Sequence, residues 1–143
     1  MTGTFRAAVE AADLTAIARA LDPDIVFHSP VVVRPYRGRN AVVRLLGVLM
    51  EVFEDFRYTD ELVGAAPAAP AAPAAGPPPR ALIFRARAAG TAVQGVDLLE
   101  FGTDGLVTGL TVMVRPLPAA MTLARLVGRR LEEPAAPAAP AAP

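Results

Sequence analysis

Three runs of alternating side chains, joined by two short turns, dominate the second half of this 143-residue sequence. The runs cover residues 81–89, 91–101 and 106–115, and they are rich in branched and aromatic residues. Gly90 separates the first two runs, and the segment 103–105 (TDG) separates the last two. Alternation over such lengths, with turn residues between the runs, predicts three long antiparallel strands. A sheet of this kind needs other elements to cover its apolar face.

Apolar residues at helical spacing predict the covering elements. Residues 4–21 are predicted to form one helix that ends before Pro23. A second helix is predicted over 41–53 with Asn40 as its N-cap, and a terminal helix over 117–131. With helices gathered on one face of the sheet, the sequence predicts an α+β fold, a curved antiparallel sheet packed on helices.

Two shorter strands are predicted ahead of the long ones. Residues 24–29 (DIVFHS) form the first, which Pro30 ends, and residues 56–63 form the second. The intervening residues 31–38 are predicted to be a turn or an arm.

Two segments, 65–79 and 134–143, consist almost wholly of Ala and Pro in an AAP repeat. A period of three matches the polyproline II helix, so one interpretation is a ligand for a partner domain. The other is repeat expansion in a surface loop and a tail. We adopt the second: a single domain over residues 1–133 with a disordered insertion at 65–79, and a disordered tail over 134–143.

Composition excludes several classes of function. The net charge is zero, so no overall field favours nucleic acid or an acidic membrane. There are no cysteines, which removes disulfides and thiolate chemistry. No metal-ligand motif or phosphate-binding loop is present, and we expect no cofactor. The first residues show no signal-peptide pattern, so we expect a cytoplasmic protein without a membrane anchor.

Asp97 is the leading candidate for a functional residue. Strand alternation places it beside Val93, Gly95 and Leu99 on the more apolar face, with Glu100 on the opposite face. Such a carboxyl group either bonds a nearby hydroxyl or backbone group and does nothing else, or its pKa rises and it donates a proton or acts as a base. Gly95 leaves space beside it, for a ligand or for close backbone approach.

The other candidates are weaker. His28 is the only histidine, and alternation turns it away from whatever Phe27 and Ser29 face. Ser29 lacks the glycine-rich turn of a serine nucleophile. The four arginines between residues 34 and 44 form either a solvated arm or an anion site at a pocket mouth.

Two segments resemble the SnoaL-like and ketosteroid-isomerase-like proteins of the nuclear-transport-factor-like superfamily. VDLLEFGTDGLVTGLTVMVRP resembles the penultimate strand and turn of these proteins, and DPDIVFHSPVVVRPYRG resembles their early arm. The matching positions are Asp97, Phe101, Gly105 and Val107 in the first segment, and Asp24, Pro30, Pro35 and Gly38 in the second. The resemblance implies a cone-shaped, cystatin-like α+β barrel with a pocket inside.

The resemblance also implies roles for single residues. Asp97 falls where the ketosteroid isomerases place a protonated aspartic acid that donates to an oxyanion. The position of their general base is Ser29 here, and that of their tyrosine is Phe5. A serine does not replace a carboxylate base near neutral pH, so this isomerase mechanism is not expected. Whether the protein is an enzyme stays open.

We expect a hydrophobic pocket that holds a small oxygenated molecule, with Asp97 as its catalytic or anchoring group. The other predicted lining residues are Phe27, Ser29, Phe56, Tyr58, Leu82, Phe84, Leu99 and Thr111. A homodimer through the outer face of the sheet is also expected, near Arg85, Arg87, Gln94 and Glu100. The function is then either ligand binding anchored by Asp97, or isomerase, cyclase or hydrolase chemistry in which Asp97 transfers a proton.

Overall fold

The structure is a computed structural model that describes residues 2–65 and 76–132. The remaining Ala/Pro-rich stretches, 66–75 and 133–143, lie outside the described residues, and so do the disordered tail and most of the disordered insertion predicted above. Within the described ranges, no helix is both long enough and apolar enough to cross a membrane.

Helices and strands alternate in the first half of the chain, and a strand meander followed by a helix forms the second. The described elements are α1 (Thr2–Glu10), α2 (Leu14–Ala20), β1 (Leu21–His28), β2 (Tyr36–Arg37), α3 (Arg39–Val52), β3 (Phe53–Val63), β4 (Arg80–Ala88), β5 (Thr91–Phe101), β6 (Val107–Arg115) and α4 (Leu117–Glu132). The α+β class is confirmed.

The described strands form one curved, unclosed sheet in the order β2-β1-β6-β5-β4-β3. Most neighbours are antiparallel, as predicted, but β1 runs parallel to β6, with Phe27 opposite Leu110 and His28 opposite Thr111. A parallel pair requires a long crossover, and the chain from β2 through β5 supplies it. The sheet is therefore mixed, a feature that strand alternation alone does not reveal.

The meander was predicted well because its signals are local. Strands β4, β5 and β6 each match their predicted ranges within one residue at either end, and so does helix α4. Ala89 and Gly90 link β4 to β5 with φ angles of 49° and 80°. Positive φ at both positions is the geometry of a type I′ hairpin turn, which suits the twist of the flanking strands.

The predicted single helix over 4–21 is wrong. The chain breaks after Glu10, and Ala12 adopts a left-handed φ of 55°. The side chain of Asp13 then caps α2, where its Oδ1 accepts a hydrogen bond from the amide of Ala16 at 3.1 Å. An aspartate that satisfies a free amide is a strong helix start signal, and here it outweighs the continuous apolar spacing.

Three further boundaries differ from prediction, and one of them is the start of β3, which lies at Phe53 rather than at residue 56. Helix α3 begins directly after Gly38, which serves as the N-cap at φ 94°, rather than after Asn40. Strand β1 begins at Leu21 and includes Pro23, which was expected to lie before it. The pairing of β1 with β6 is irregular between Leu21 and Val26, so no ladder hydrogen bond is required of the proline.

The inner face of the sheet packs on the helices. Helix α3 contributes Val42, Leu45 and Val52 to the core, and α4 contributes Ala119 and Leu123. The side chains of α3 leave space against β3, β4 and β5, and this space is where the candidate site lies.

Candidate functional site

Asp97 lies on the inner face of β5. It is 8 % exposed and is the one buried charged side chain among the described residues. Its neighbours on this face, Val93, Gly95 and Leu99, are also buried, whereas Glu100 is exposed on the other face. Strand alternation therefore placed Asp97 on the correct face.

The partner of Asp97 comes from β3, two strands away. The hydroxyl of Tyr58 donates a hydrogen bond to Asp97 Oδ2 at 2.7 Å. Tyr58 lies opposite Phe84 of β4, and Phe84 lies opposite Gly95 of β5. The tyrosine side chain thus reaches across β4 to the carboxyl group of Asp97. This contact depends on the register of β3 with β4 and of β4 with β5.

Gly95 leaves room for the ring of Phe84, which packs directly against this glycine. A Cβ atom at this position would be 2.3 Å from Phe84 Cζ and 2.7 Å from the carbonyl oxygen of Met113. The space beside Asp97 that the sequence indicated is therefore filled by the ring of Phe84. Glycine is required here because any side chain would displace that ring.

Burial determines the protonation of both polar groups. It raises the pKa of Asp97 to about 7, against the opposing effect of the hydrogen bond from Tyr58. Burial, followed by the negative charge of Asp97, raises the pKa of Tyr58 well above that of an ordinary phenol. Tyr58 therefore remains a hydrogen-bond donor, while Asp97 changes charge near neutral pH.

These two groups line an apolar cavity of about 200 Å³ between the sheet and helices α1 to α3. We call it the Asp97 cavity. Its lining consists of Phe5, Val9, Glu10, Ala12, Ile17, Leu46, Leu49, Met50, Phe53, Phe56, Tyr58, Phe84, Asp97 and Val112. Most of these side chains are hydrocarbon, so the cavity suits a largely apolar molecule.

Four aromatic rings form one wall of the Asp97 cavity. Phe56 stacks on Phe84 with a centroid distance of 4.9 Å and meets Tyr58 edge to face at 5.0 Å. Phe53 is tilted against Phe56, and its ring centroid lies 5.5 Å from those of both Phe56 and Phe84. Offset and edge-to-face contacts of this kind hold rings in fixed positions, so this wall is preorganised.

A chain of ion pairs joins α1 to the sheet beside the cavity. Arg6 donates to Glu10 at 3.1 Å and to Glu61 at 3.0 Å, and Arg80 donates to the other oxygen of Glu61 at 2.5 Å. The hydrogen bond from Arg6 lowers the pKa of Glu61. The guanidinium carbon of Arg6 also lies 5.6 Å from the centroid of the Tyr58 ring, a cation–π distance.

The predicted lining residues fall into separate places. Phe56, Tyr58 and Phe84 line the Asp97 cavity. Phe27 and Ser29 line a second cavity of about 100 Å³ beneath α4.

The other three predicted positions lie away from both cavities. Leu82 and Leu99 are fully buried in the core. Leu99 and Thr111 also border a shallow depression beside residues 62–64 and 79–81.

Ser29 and His28 have structural surroundings. The Oγ atom of Ser29 accepts hydrogen bonds from the amides of Val31 at 2.9 Å and Val32 at 3.2 Å, which stabilises the turn after β1. His28 is exposed and points away from the buried Phe27, as alternation predicted. Within the described ranges, no three His, Cys, Asp or Glu side chains converge as a metal site would require.

The helical part of the cavity lining was not predicted from the sequence. Leu46, Leu49 and Met50 follow one another on the inward side of α3, and Val9 belongs to α1. The apolar face of α3 was visible in the sequence, but the part that covers the core could not be distinguished from the part that borders empty space. The Arg6–Glu61 pair spans 55 residues and left no sequence signal.

Comparison with known proteins shows which family the chain belongs to. The model of the SnoaL-like domain matches residues 3–110. A steroid delta-isomerase from Pseudomonas aeruginosa is 32% identical, with a TM-score of 0.78 over 91% of this chain and 88% of that one. The class is thus that of α+β proteins with a SnoaL-like domain, and the chain belongs to the SnoaL-like domain family.

Two further structures share the fold. An uncharacterised protein with a cystatin-like fold from Silicibacter pomeroyi is 23% identical, with a TM-score of 0.81 over 96% of this chain and 89% of that one. A protein assigned to the SnoaL-like polyketide cyclases, from Shewanella denitrificans, is 15% identical, with a TM-score of 0.61 over 87% of this chain and 93% of that one. No curated protein matches the sequence.

Proposed function

We propose that the protein binds a small hydrophobic, oxygenated molecule in the Asp97 cavity, with Asp97 as the polar anchor. The observation that carries this proposal is a buried carboxyl group at the wall of an otherwise apolar cavity. Burying such a group is costly unless it is bonded, and here only one of its oxygens is satisfied by the described residues. The homodimer and the cytoplasmic location stay predictions from the sequence.

The free oxygen of Asp97 defines the complementary ligand group. Oδ2 accepts the Tyr58 hydroxyl, while Oδ1 accepts no hydrogen bond from the described residues. Below its pKa of about 7 the carboxyl group has a proton to donate to a ligand carbonyl, and above it the carboxylate accepts from a ligand hydroxyl. The matching ligand is therefore a flat or compact hydrocarbon with a carbonyl or hydroxyl group at one end.

A second candidate is proton-transfer catalysis by Asp97. A pKa of about 7 matches the pH at which a general acid or base is most effective. The 32% identical protein from Pseudomonas aeruginosa is a steroid delta-isomerase. The position of the general base in the ketosteroid isomerases is Ser29 here, however, and it offers no base. Ser29 lies in the second cavity, and its oxygen accepts hydrogen bonds from two backbone amides. Phe5 lines the Asp97 cavity without a hydroxyl group.

Binding is tested with 2-naphthol and naphthalene, which share a shape but differ by one hydroxyl group. We expect 2-naphthol to bind the wild-type protein about tenfold more tightly, since a hydrogen bond to a carboxyl group is worth about 1.5 kcal/mol. Asp97→Leu combined with Tyr58→Phe should remove this preference and retain naphthalene binding. Isothermal titration measures both affinities.

Tyr58→Phe alone is the matched control. It leaves Asp97 in place, so the preference for 2-naphthol should persist. Loss of the preference in this single variant would assign the anchor to Tyr58. Equal affinities of the two compounds for the wild-type protein would overturn the proposal.

Catalysis is tested with 2-tetralone, a ketone of similar size, in deuterated buffer at pH 7. If Asp97 transfers protons, deuterium should enter the carbon next to the carbonyl at least tenfold faster than in buffer alone, as followed by NMR. Asp97→Asn should abolish the acceleration, because an amide does not take up the proton. Binding of 2-tetralone with exchange at the buffer rate would exclude this second candidate and leave the binding function intact.

A further inference from the structure

The second cavity beneath α4 shares a lining residue with the Asp97 cavity. It measures about 100 Å³ and is enclosed by α3, α4 and the segment after β1. Among the residues that the structure describes, Leu49 of α3 is the one common to the linings of both cavities. Leu46, one turn before it, borders only the Asp97 cavity, whereas Leu45 borders only the second. Leu49 therefore borders both spaces.

The two cavities differ in chemistry. The Asp97 cavity contains a carboxyl group with a free oxygen, together with the Tyr58 hydroxyl. The second cavity is lined mostly by hydrocarbon, and the oxygen of Ser29 in its lining already accepts hydrogen bonds from two backbone amides. An oxygenated head thus fits the first space, and an apolar tail fits the second.

We propose that one elongated ligand occupies both cavities, with its oxygen at Asp97 and an unbranched hydrocarbon tail that passes Leu49 into the second cavity. The proposal rests on the proposed binding function and specifies its ligand class. Leucine has alternative staggered rotamers, so its side chain can move aside without a change in the backbone. Leu49 is then the residue that determines how long a ligand the protein accepts.

The test uses 4-methylphenol and 4-heptylphenol, which share a head and differ only in the tail. Each buried methylene contributes about 0.8 kcal/mol, or roughly a fourfold gain in affinity. We expect 4-heptylphenol to bind the wild-type protein at least about 100-fold more tightly than 4-methylphenol, by isothermal titration. A ratio below about tenfold would show that the tail stays in solvent, and would overturn the proposal.

Gly128→Leu blocks the second cavity at low risk to the fold. Gly128 lines that cavity, and a Cβ atom added to it meets no atom of the described residues within 4 Å. The variant should lower the affinity ratio at least tenfold and leave 4-methylphenol binding within twofold of wild type. Ala124→Phe fills the same space from the preceding turn and should act alike. Ala120→Leu, on the same helix but outside both linings, is the matched control and should leave the ratio unchanged.

The role of Leu49 has its own test. Leu49→Ala removes the partition and should raise the affinity ratio at least threefold, whereas Leu46→Ala enlarges only the Asp97 cavity and should not raise it. An unchanged or lower ratio in Leu49→Ala would overturn the assignment of the partition. If the wild-type protein binds neither phenol, the proposed function fails together with this inference. If it binds 4-methylphenol but Gly128→Leu and Ala124→Phe leave the ratio unchanged, only the inference fails.

Discussion

At pH 8.5 the variant Asp97→Asn is expected to resist unfolding better than the wild-type protein, and this advantage should disappear as the pH falls toward 4. The pKa of Asp97 rises from an ordinary 3.8 in the unfolded chain to about 7 in the folded protein. Between these values the folded protein retains a proton that the unfolded chain has lost. The free energy of unfolding therefore falls as the pH rises through this window, by roughly 4 kcal/mol in total.

Asparagine removes this dependence with little change in shape. It is neutral at every pH, and its side-chain oxygen can still accept the hydrogen bond from Tyr58. At pH 8.5 the wild-type protein carries a buried carboxylate that the variant lacks, and this difference is the source of the expected advantage. Near pH 4 both side chains are neutral in the folded state, so the two stabilities should converge.

The measurement is urea unfolding of both proteins between pH 4 and pH 8.5, with the difference in free energy plotted against pH. The difference is required because other carboxyl groups act in the opposite direction. Glu61, for example, has a lowered pKa and loses its contribution as the pH falls. Glu100→Gln, which removes a carboxylate from the exposed face of the same strand, is the matched control for the loss of one acidic side chain. Parallel curves for wild type and Asp97→Asn would show that Asp97 is not buried as described.

Much of the fold could be predicted because its signals are local. Alternation and turn residues defined β4 to β6 within one residue at either end, and α4 equally well. The first helix was misjudged because the competing signal, a cap by Asp13, lies inside a continuous apolar pattern. The parallel pairing of β1 with β6 depends on where a distant strand docks, and no local pattern encodes that choice.

The candidate site likewise combines features that local patterns predict with features that depend on distant parts of the chain. Strand alternation placed Asp97 on the buried face, since a period of two needs no knowledge of the neighbours. Its partner Tyr58 required the register of three strands, which the sequence did not supply. Leu49 presents the hardest case, because its proposed role depends on its position at the border of two cavities. The face of a strand on which a side chain lies can be predicted from the sequence, whereas the position of a cavity between elements cannot.

Gly95→Ala is expected to lower the free energy of unfolding by about 2–3 kcal/mol, the cost of overpacking a filled core position. The added Cβ atom would lie 2.3 Å from Phe84 Cζ and 2.7 Å from the carbonyl oxygen of Met113. The ring can shift only by leaving its stack on Phe56, and the carbonyl belongs to the paired strand β6. Intrinsic strand preference alone predicts that Gly95→Ala raises the free energy of unfolding, since glycine inside a strand is less favourable than alanine.

Gly128→Ala is the matched control, because it adds the same methyl group in open space on helix α4. It should raise the stability by about 1 kcal/mol, the helical preference for alanine over glycine. Phe84→Leu provides the second check, since a smaller side chain beside Gly95 should recover part of the loss but not the part caused by the Met113 carbonyl. Urea unfolding of the single and double variants measures this coupling. Equal effects of alanine at positions 95 and 128 would mean that Phe84 does not lie on Gly95, and the aromatic wall of the Asp97 cavity would then need another arrangement.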